Sequence, residues 1–144
     1  MPNYSDDAIL LINKPKDWTS HDVVACVRGR FKIKKVGHCG TLDPLATGLL
    51  VVVTGKGTKL SQILSGDDKT YRAEMALGQE TDSQDSTGKV TDEEPWEDVD
   101  EDFVREVLPR FEGEQQQIPP MYSALKKNGK KLYELARKGE EVER

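Results

Sequence analysis

The 144-residue chain is 35% hydrophobic and 33% charged, with a formal net charge of −5. That length suits one domain and is short for two, and the overall charge argues weakly against a nucleic-acid ligand, whose phosphates want positive partners. Two cysteines without a cysteine framework point to free thiols, and neither "MPNYSDD" nor the short run "AILLI" makes a secretory leader or a membrane span, so a cytoplasmic protein is expected.

In chain order, "AILLINK" (8–14) is an apolar run closed by Pro15 and predicts a buried strand. Thr19 or Ser20 then caps a helix, with Asp22 in its first turn and Val23, Val24, Val27 and Phe31 on one face. Residues 37–48 read as a loop. "LLVVV" (49–53) predicts a central strand, and "TGKGTK" turns into a short helix near 58–64. "KTYRAEMAL" (69–77) alternates as a strand would, with Tyr71, Ala73, Met75 and Leu77 on one face. "GQETDSQDSTGKV" is a polar loop rich in turn formers. "DVDEDFVREVLPRF" opens with capping acids and predicts an amphipathic helix carrying Phe103, Val107 and Leu108. "EGEQQQIPP" reads as an edge strand stopped by its proline pair, and "GKKLYELARKG" as a basic helix over 130–138 ended by Gly139. The irregular alternation of strands and helices predicts a mixed sheet with helices packed on it.

Charge is unevenly spread. Acids crowd 82–106, while basic residues crowd 28–35 and 126–138, a pattern compatible with one RNA-facing side. Three tempting motifs fail. "TGKGTK" lacks the glycine a phosphate-binding loop needs at position 50, which is Leu50. "DSQDSTG" lacks the alternating acids and closing glutamate of a calcium loop. His21, Cys26, His38 and Cys39 are irregularly spaced and include no paired cysteine motif, so no metal is expected.

The stretch "GHCGTLDPLATGLLVV" (37–52) places Asp43 before Pro44, which disfavours the α conformation at Asp43. Gly40 and Gly48 can take up dihedrals that other residues avoid. A carboxylate held in such a loop suits a nucleophile or a general base. By physics alone the plainer reading is a turn aspartate, because Asp-Pro pairs are common in turns. Plain readings also exist for His38, as a loop histidine bonded to a carbonyl, and for Tyr71, as a packed strand residue.

This stretch resembles the catalytic motif of the TruB family of pseudouridine synthases. Gly40 to Gly48 match its Gly-Thr-Leu-Asp-Pro-Leu-Ala-Thr-Gly core throughout, and His38 stands where the family has histidine. "NKPKDWTSHDVV" (13–24) resembles the family's Lys-Pro-x-Gly-x-Thr-Ser-His-Asp motif, with Asp17 where glycine is usual. Lys14 and Pro15 there look structural, shaping the turn behind the loop. "KTYRAEMALGQETDSQDSTGKV" (69–90) is similar to the segment bearing the family's tyrosine, here Tyr71. "QIPPMYSALKKNGKKLYELARKGEEVER" (117–144) is similar to its thumb-like RNA-binding segment.

The resemblance implies an α+β fold with a mixed, largely antiparallel sheet and packed helices. It implies an isomerase that flips a uridine out of the tRNA T-loop, at position 55 in bacterial members, and converts it to pseudouridine without cofactor or metal. Asp43 would be catalytic, either attacking covalently or deprotonating the ribose to a glycal, and a cation beyond Arg144 would keep it charged. Tyr71 would stack on the base and His38 would fill the gap it leaves. Tyr122, Ser123, Lys126, Lys130 and Lys131 would contact RNA. The partner implied is the tRNA T-stem loop, with no membrane, and a monomer is expected. Family catalytic domains continue past this length, and bacterial members add an RNA-binding PUA domain, so residues 1–144 are read as the N-terminal portion of the catalytic domain. The alternatives are a non-catalytic RNA-binding module and a carboxylate-nucleophile hydrolase or phosphotransferase, the latter needing Mg²⁺ or a second carboxylate near Asp43.

Overall fold

The computed structural model describes residues 6–118, 126–127 and 129–131. They fall into two compact units, the first ending at Tyr71 and the second beginning at Arg72.

The first unit is built on a three-stranded antiparallel sheet. β1 (Ala8–Lys14) pairs with β3 (Gly48–Thr54) from Ala8↔Thr54 to Lys14↔Gly48, and β2 (Val36–His38) pairs with the other edge of β3. The order is β1-β3-β2, so the most apolar run is the central strand, as its composition predicts. Alternation sends Leu10, Ile12, Leu50 and Val52 to one face, where Val23 and Val27 of α1 (Ser20–Phe31) close the core. Val36 and Leu42 pack against this cluster. Burying each such side chain contributes roughly 1.5–3 kcal/mol relative to leaving it exposed. Thr54, fully buried at the sheet end, accepts from Ala8 N at 3.0 Å and donates to Asp6 O at 2.6 Å.

α1 starts where its sequence says it should. Thr19 is the N-cap: its hydroxyl accepts from Asp22 N at 3.1 Å, and Asp22 Oδ2 accepts from Thr19 N at 2.8 Å. This reciprocal box satisfies two backbone donors that the helix itself cannot. The Thr19 hydroxyl donating to Asp22 is the main reason that carboxyl lies below its usual range. Phe31 departs from expectation. It occupies the last helical position, before Lys32 turns the chain at φ 56°, and is exposed. After β3, a 3-10 turn (Gly55–Leu60) leads into α2 (Ser61–Ser65), covering the short helix expected there.

In the second unit the strands lie elsewhere than predicted. Residues 69–77 form no strand, and among the described residues nothing offers them a ladder partner. The hairpin is instead β4 (Gln79–Thr81) with β5 (Val90–Glu93), and its connection is the "DSQDSTG" loop. Asp85 organises that loop, accepting from Ser83 Oγ at 2.7 Å, Thr87 N at 2.8 Å and Thr87 Oγ1 at 2.6 Å. The Thr87 hydroxyl is the main cause of its lowered pKa.

α3 (Glu101–Val107) is capped by Asp100, whose carboxylate accepts from Phe103 N at 2.8 Å, and a 3-10 turn (Leu108–Phe111) extends it. The edge strand expected over 112–118 does not form, because no described strand pairs with it. Of the basic helix expected over 130–138, Lys130 and Lys131 lie instead in a strand, and residues 132–138 lie outside the described residues. Lys126–Lys127 (β6) pairs antiparallel with Lys130–Lys131 (β7), and Gly129 between them has φ 80°. An Asn-Gly pair is a strong hairpin signal that outweighs the helical pattern there. Among the described residues no helix is long and apolar enough to cross a membrane.

Replacing Thr19 by Ala is expected to destabilise the chain by about 1 kcal/mol in chemical denaturation. Asp22 and Asp85 hold protons less tightly folded than unfolded, so their contribution is present above about pH 4 and lost as pH falls below it. The acid limb of a stability–pH curve should therefore flatten in Thr19→Ala.

Candidate active site

Residues 39–47 leave the sheet at His38 and re-enter it at Gly48. The entry is fixed by Cys39 N donating to Val51 O at 2.8 Å. Gly40 and Gly48 sit at φ 122° and 114°, conformations that a side chain would strain, so the expectation for both holds.

Between them the backbone is tied on each side of Asp43. On one side, Ser20 Oγ accepts from Leu42 N at 2.9 Å and donates to Leu42 O at 3.1 Å. On the other, Pro44 O accepts from Asp17 N at 2.7 Å and from Lys14 Nζ at 3.3 Å. Lys14 is fully buried, and its ammonium also donates to Pro15 O at 3.0 Å and Trp18 O at 2.6 Å. Three carbonyls thus meet the three donors of one buried cation.

Asp43 itself is exposed. Its backbone carbonyl accepts from Ala46 N at 3.0 Å, which closes a turn with Pro44 in second place. The turn reading of Asp-Pro is correct for the backbone. The carboxylate is not used in it, and among the described residues it makes no hydrogen bond or ion pair. A carboxyl group with no partner among the described residues, on a backbone held on both sides, is available to a ligand.

His38 Nδ1 lies 2.6 Å from Gly40 O. A carbonyl only accepts, so Nδ1 donates in this contact, and in the neutral ring Nε2 is the acceptor. Tyr71 is exposed and belongs to no strand. It lines a cleft of about 320 Å³ together with Gly40, Thr41, Leu49, Lys69 and the buried Cys39, at the lower end of the ~300–1,000 Å³ typical of ligand sites. Asp43 and His38 do not contribute to that wall. Burial pushes the Cys39 thiol up, away from the reactive thiolate. Cys26 is exposed, and both thiols are free. Among the described residues no cluster of His, Cys, Asp or Glu could hold a metal ion. Tyr122 and Ser123 lie outside the described residues, and Lys126, Lys130 and Lys131 are described only as the backbone of β6 and β7.

Two positioning residues are not visible as such in the sequence. Ser20 reads as a cap, yet Thr19 takes the cap and Ser20 turns inward to the loop. Lys14 reads as a turn residue, and only the fold shows which carbonyls it serves.

The sequence model of the TruB family of pseudouridylate synthases, N-terminal domain, matches residues 28–144. The chain belongs to the TruB family. Curated relatives named tRNA pseudouridine synthase B include those of Geobacter sulfurreducens and Bacillus subtilis. They are 51% identical over 138 residues and 50% identical over 139, each match covering 96% of this chain and 45% of the relative. The Opitutus terrae relative is 48% identical over 143 residues, covering 99% of this chain and 59% of its own length. The chain thus spans about half the length of the curated relatives it matches. A chain in the crystal structure of a Cbf5-Nop10-Gar1 complex superposes with a TM-score of 0.56 at 29% identity, over 84% of this chain and 31% of that one. Asp17 sits at φ 66°, the left-handed region where aspartate is one of the better-tolerated non-glycine residues.

Ser20→Ala leaves Leu42 N and O without their partner and is expected to cost about 1–3 kcal/mol of stability. Lys14→Met strips three carbonyls at once and should cost about 3 kcal/mol or more. Urea denaturation of both variants checks the order.

Proposed function

We propose that the chain is part of an enzyme that isomerises a uridine in the tRNA T-loop to pseudouridine. The observation that carries this reading is Asp43: its neighbours are pinned on both sides while its carboxylate is left unpaired and open to a ligand. Family membership supplies the chemistry such a carboxylate serves. The bond from C1′ to N1 breaks, the uracil turns, a bond from C1′ to C5 forms, the C5 hydrogen leaves as a proton and N1 takes one up. The reaction is redox-neutral. A stacked uracil cannot present both atoms, so the base must be extruded, at a cost of roughly a few kcal/mol.

Asp43 acts in its ionised form, as nucleophile or as base. Tyr71 stacks on the extruded base, a contact worth about 1–3 kcal/mol. The free Nε2 of His38 accepts a hydrogen bond near the gap in the RNA. Residues 117–144, with Tyr122, Ser123, Lys126, Lys130 and Lys131, close over the T-arm.

Tritium release from C5-labelled uridine in a T-arm hairpin tests this, in a polypeptide of the relatives' full length carrying this segment. Asp43→Asn should bind the hairpin and lose at least about 10²-fold in turnover, with EDTA leaving the parent rate unchanged. Undiminished release from Asp43→Asn would overturn the role of Asp43. Tight binding with no release from either protein would favour a binding module.

A further inference from the structure

Lysines from two separate stretches converge at the end of β3 remote from Asp43. Lys32, Lys34 and Lys35 follow α1, while Lys56 and Lys59 belong to the 3-10 turn after β3. Together with Asp6 and Asp7 they line a cleft of about 410 Å³. All five lysines are exposed, and five cations against two anions make the cleft strongly positive on a chain of net charge −5.

The platform beneath these side chains is tied down. Gly55 N donates to Lys35 O at 2.9 Å, joining the two stretches. Lys56 N donates to Asp7 Oδ1 at 2.7 Å, and Thr58 Oγ1 donates to Gly55 O at 2.8 Å. Asp7 therefore anchors the turn through its backbone. Its ion pair with Lys56 is long, at 3.7 Å, and leaves the lysine side chain 85% exposed. A bland account covers part of the cluster, since Lys32 at the end of α1 complements the helix dipole. It does not cover Lys34, Lys35, Lys56 and Lys59, which lie off that helix.

We propose that this cleft is a contact surface for the phosphate backbone of the substrate RNA's stem. The proposal rests on the RNA-modifying reading above. β3 is 7 residues long, roughly 23 Å at about 3.3 Å per residue, and separates the cleft from the loop that carries Asp43. A stem lying along the sheet edge reaches the lysines while its loop reaches Asp43. Flexible ammonium groups suit phosphates as point charges and carry no base specificity. The contact sets where the stem lies, and thereby which loop nucleotide arrives at the carboxylate.

A polypeptide of the relatives' full length carrying this segment is titrated with two RNAs, a hairpin on a long paired stem and the same loop on the shortest stem that folds. The triple variant Lys34→Gln, Lys35→Gln, Lys56→Gln should bind the long-stem RNA about tenfold or more weakly, and its log K against log salt slope should fall by about two to three. Its affinity for the short-stem RNA should match that of the parent. The charge-preserving variant Lys34→Arg, Lys35→Arg, Lys56→Arg should restore the slope, which separates charge from misfolding. Unchanged long-stem affinity and slope in the triple Gln variant would overturn the proposal while leaving the Asp43 reading intact. If the parent chain binds neither RNA, the surface and the RNA reading fall together.

Discussion

The pinning of the backbone on both sides of Asp43 is the constraint on which the rest of the site depends. Leu42 is held twice, by Ser20 through its N–H and carbonyl and by the core through its side chain. Pro44 is held through its carbonyl, by the N–H of Asp17 and by Lys14. An aspartate has a short side chain, so fixing its Cα confines its carboxylate to a small volume. Catalytic groups need positioning to within about 0.5 Å, and a loop without such ties does not supply it.

Lys14 is the less obvious part of this arrangement. Taking an ammonium out of water costs several kcal/mol even after relaxation. Three carbonyl acceptors offset that cost, and a hydrophobic residue in the same place would hold none of them. The cation therefore converts a loose junction of three segments (the end of β1, the turn at 15–18 and the Asp43 loop) into one rigid piece. The core beneath is small, chiefly Val23, Val27, Leu50 and Val52. In a fold with so few buried side chains, polar ties of about 1–3 kcal/mol each decide whether the loop is ordered.

What could be read in advance follows from how local each signal is. β1, α1 with its Thr19 cap, β3 and the capped α3 were legible because periodicity and caps act over a few residues. The Asp43 loop was legible through its glycines and through a motif nine residues long. Strand pairing is not local, and there the reading fails. Alternation over 69–77 is a pattern without a partner, while β4 and β5 are short strands flanking a turn-rich loop. The Asn-Gly pair at 128–129 is a local turn signal in the sequence that the helical reading of 130–138 does not use. Within the candidate site, His38 bonds a carbonyl, as the plainer reading expects. The inward turn of Ser20 and the triple contact of Lys14 depend on where distant carbonyls come to rest, which no spacing rule encodes.

The central strand links these observations. β3 is buried along most of its length, paired on both edges and short enough to be stiff. Its first residue, Gly48, ends the loop that carries an anion, and its last, Thr54, leads into a turn that carries cations. Two opposite charges fixed at the ends of one rigid strand cannot drift together or change spacing without breaking the core. A flexible loop bearing the same residues would let the cations neutralise the carboxylate. Here the strand holds the turn that carries the lysines and the loop that carries Asp43 apart. A rigid element thus sets the spacing between that loop and that turn.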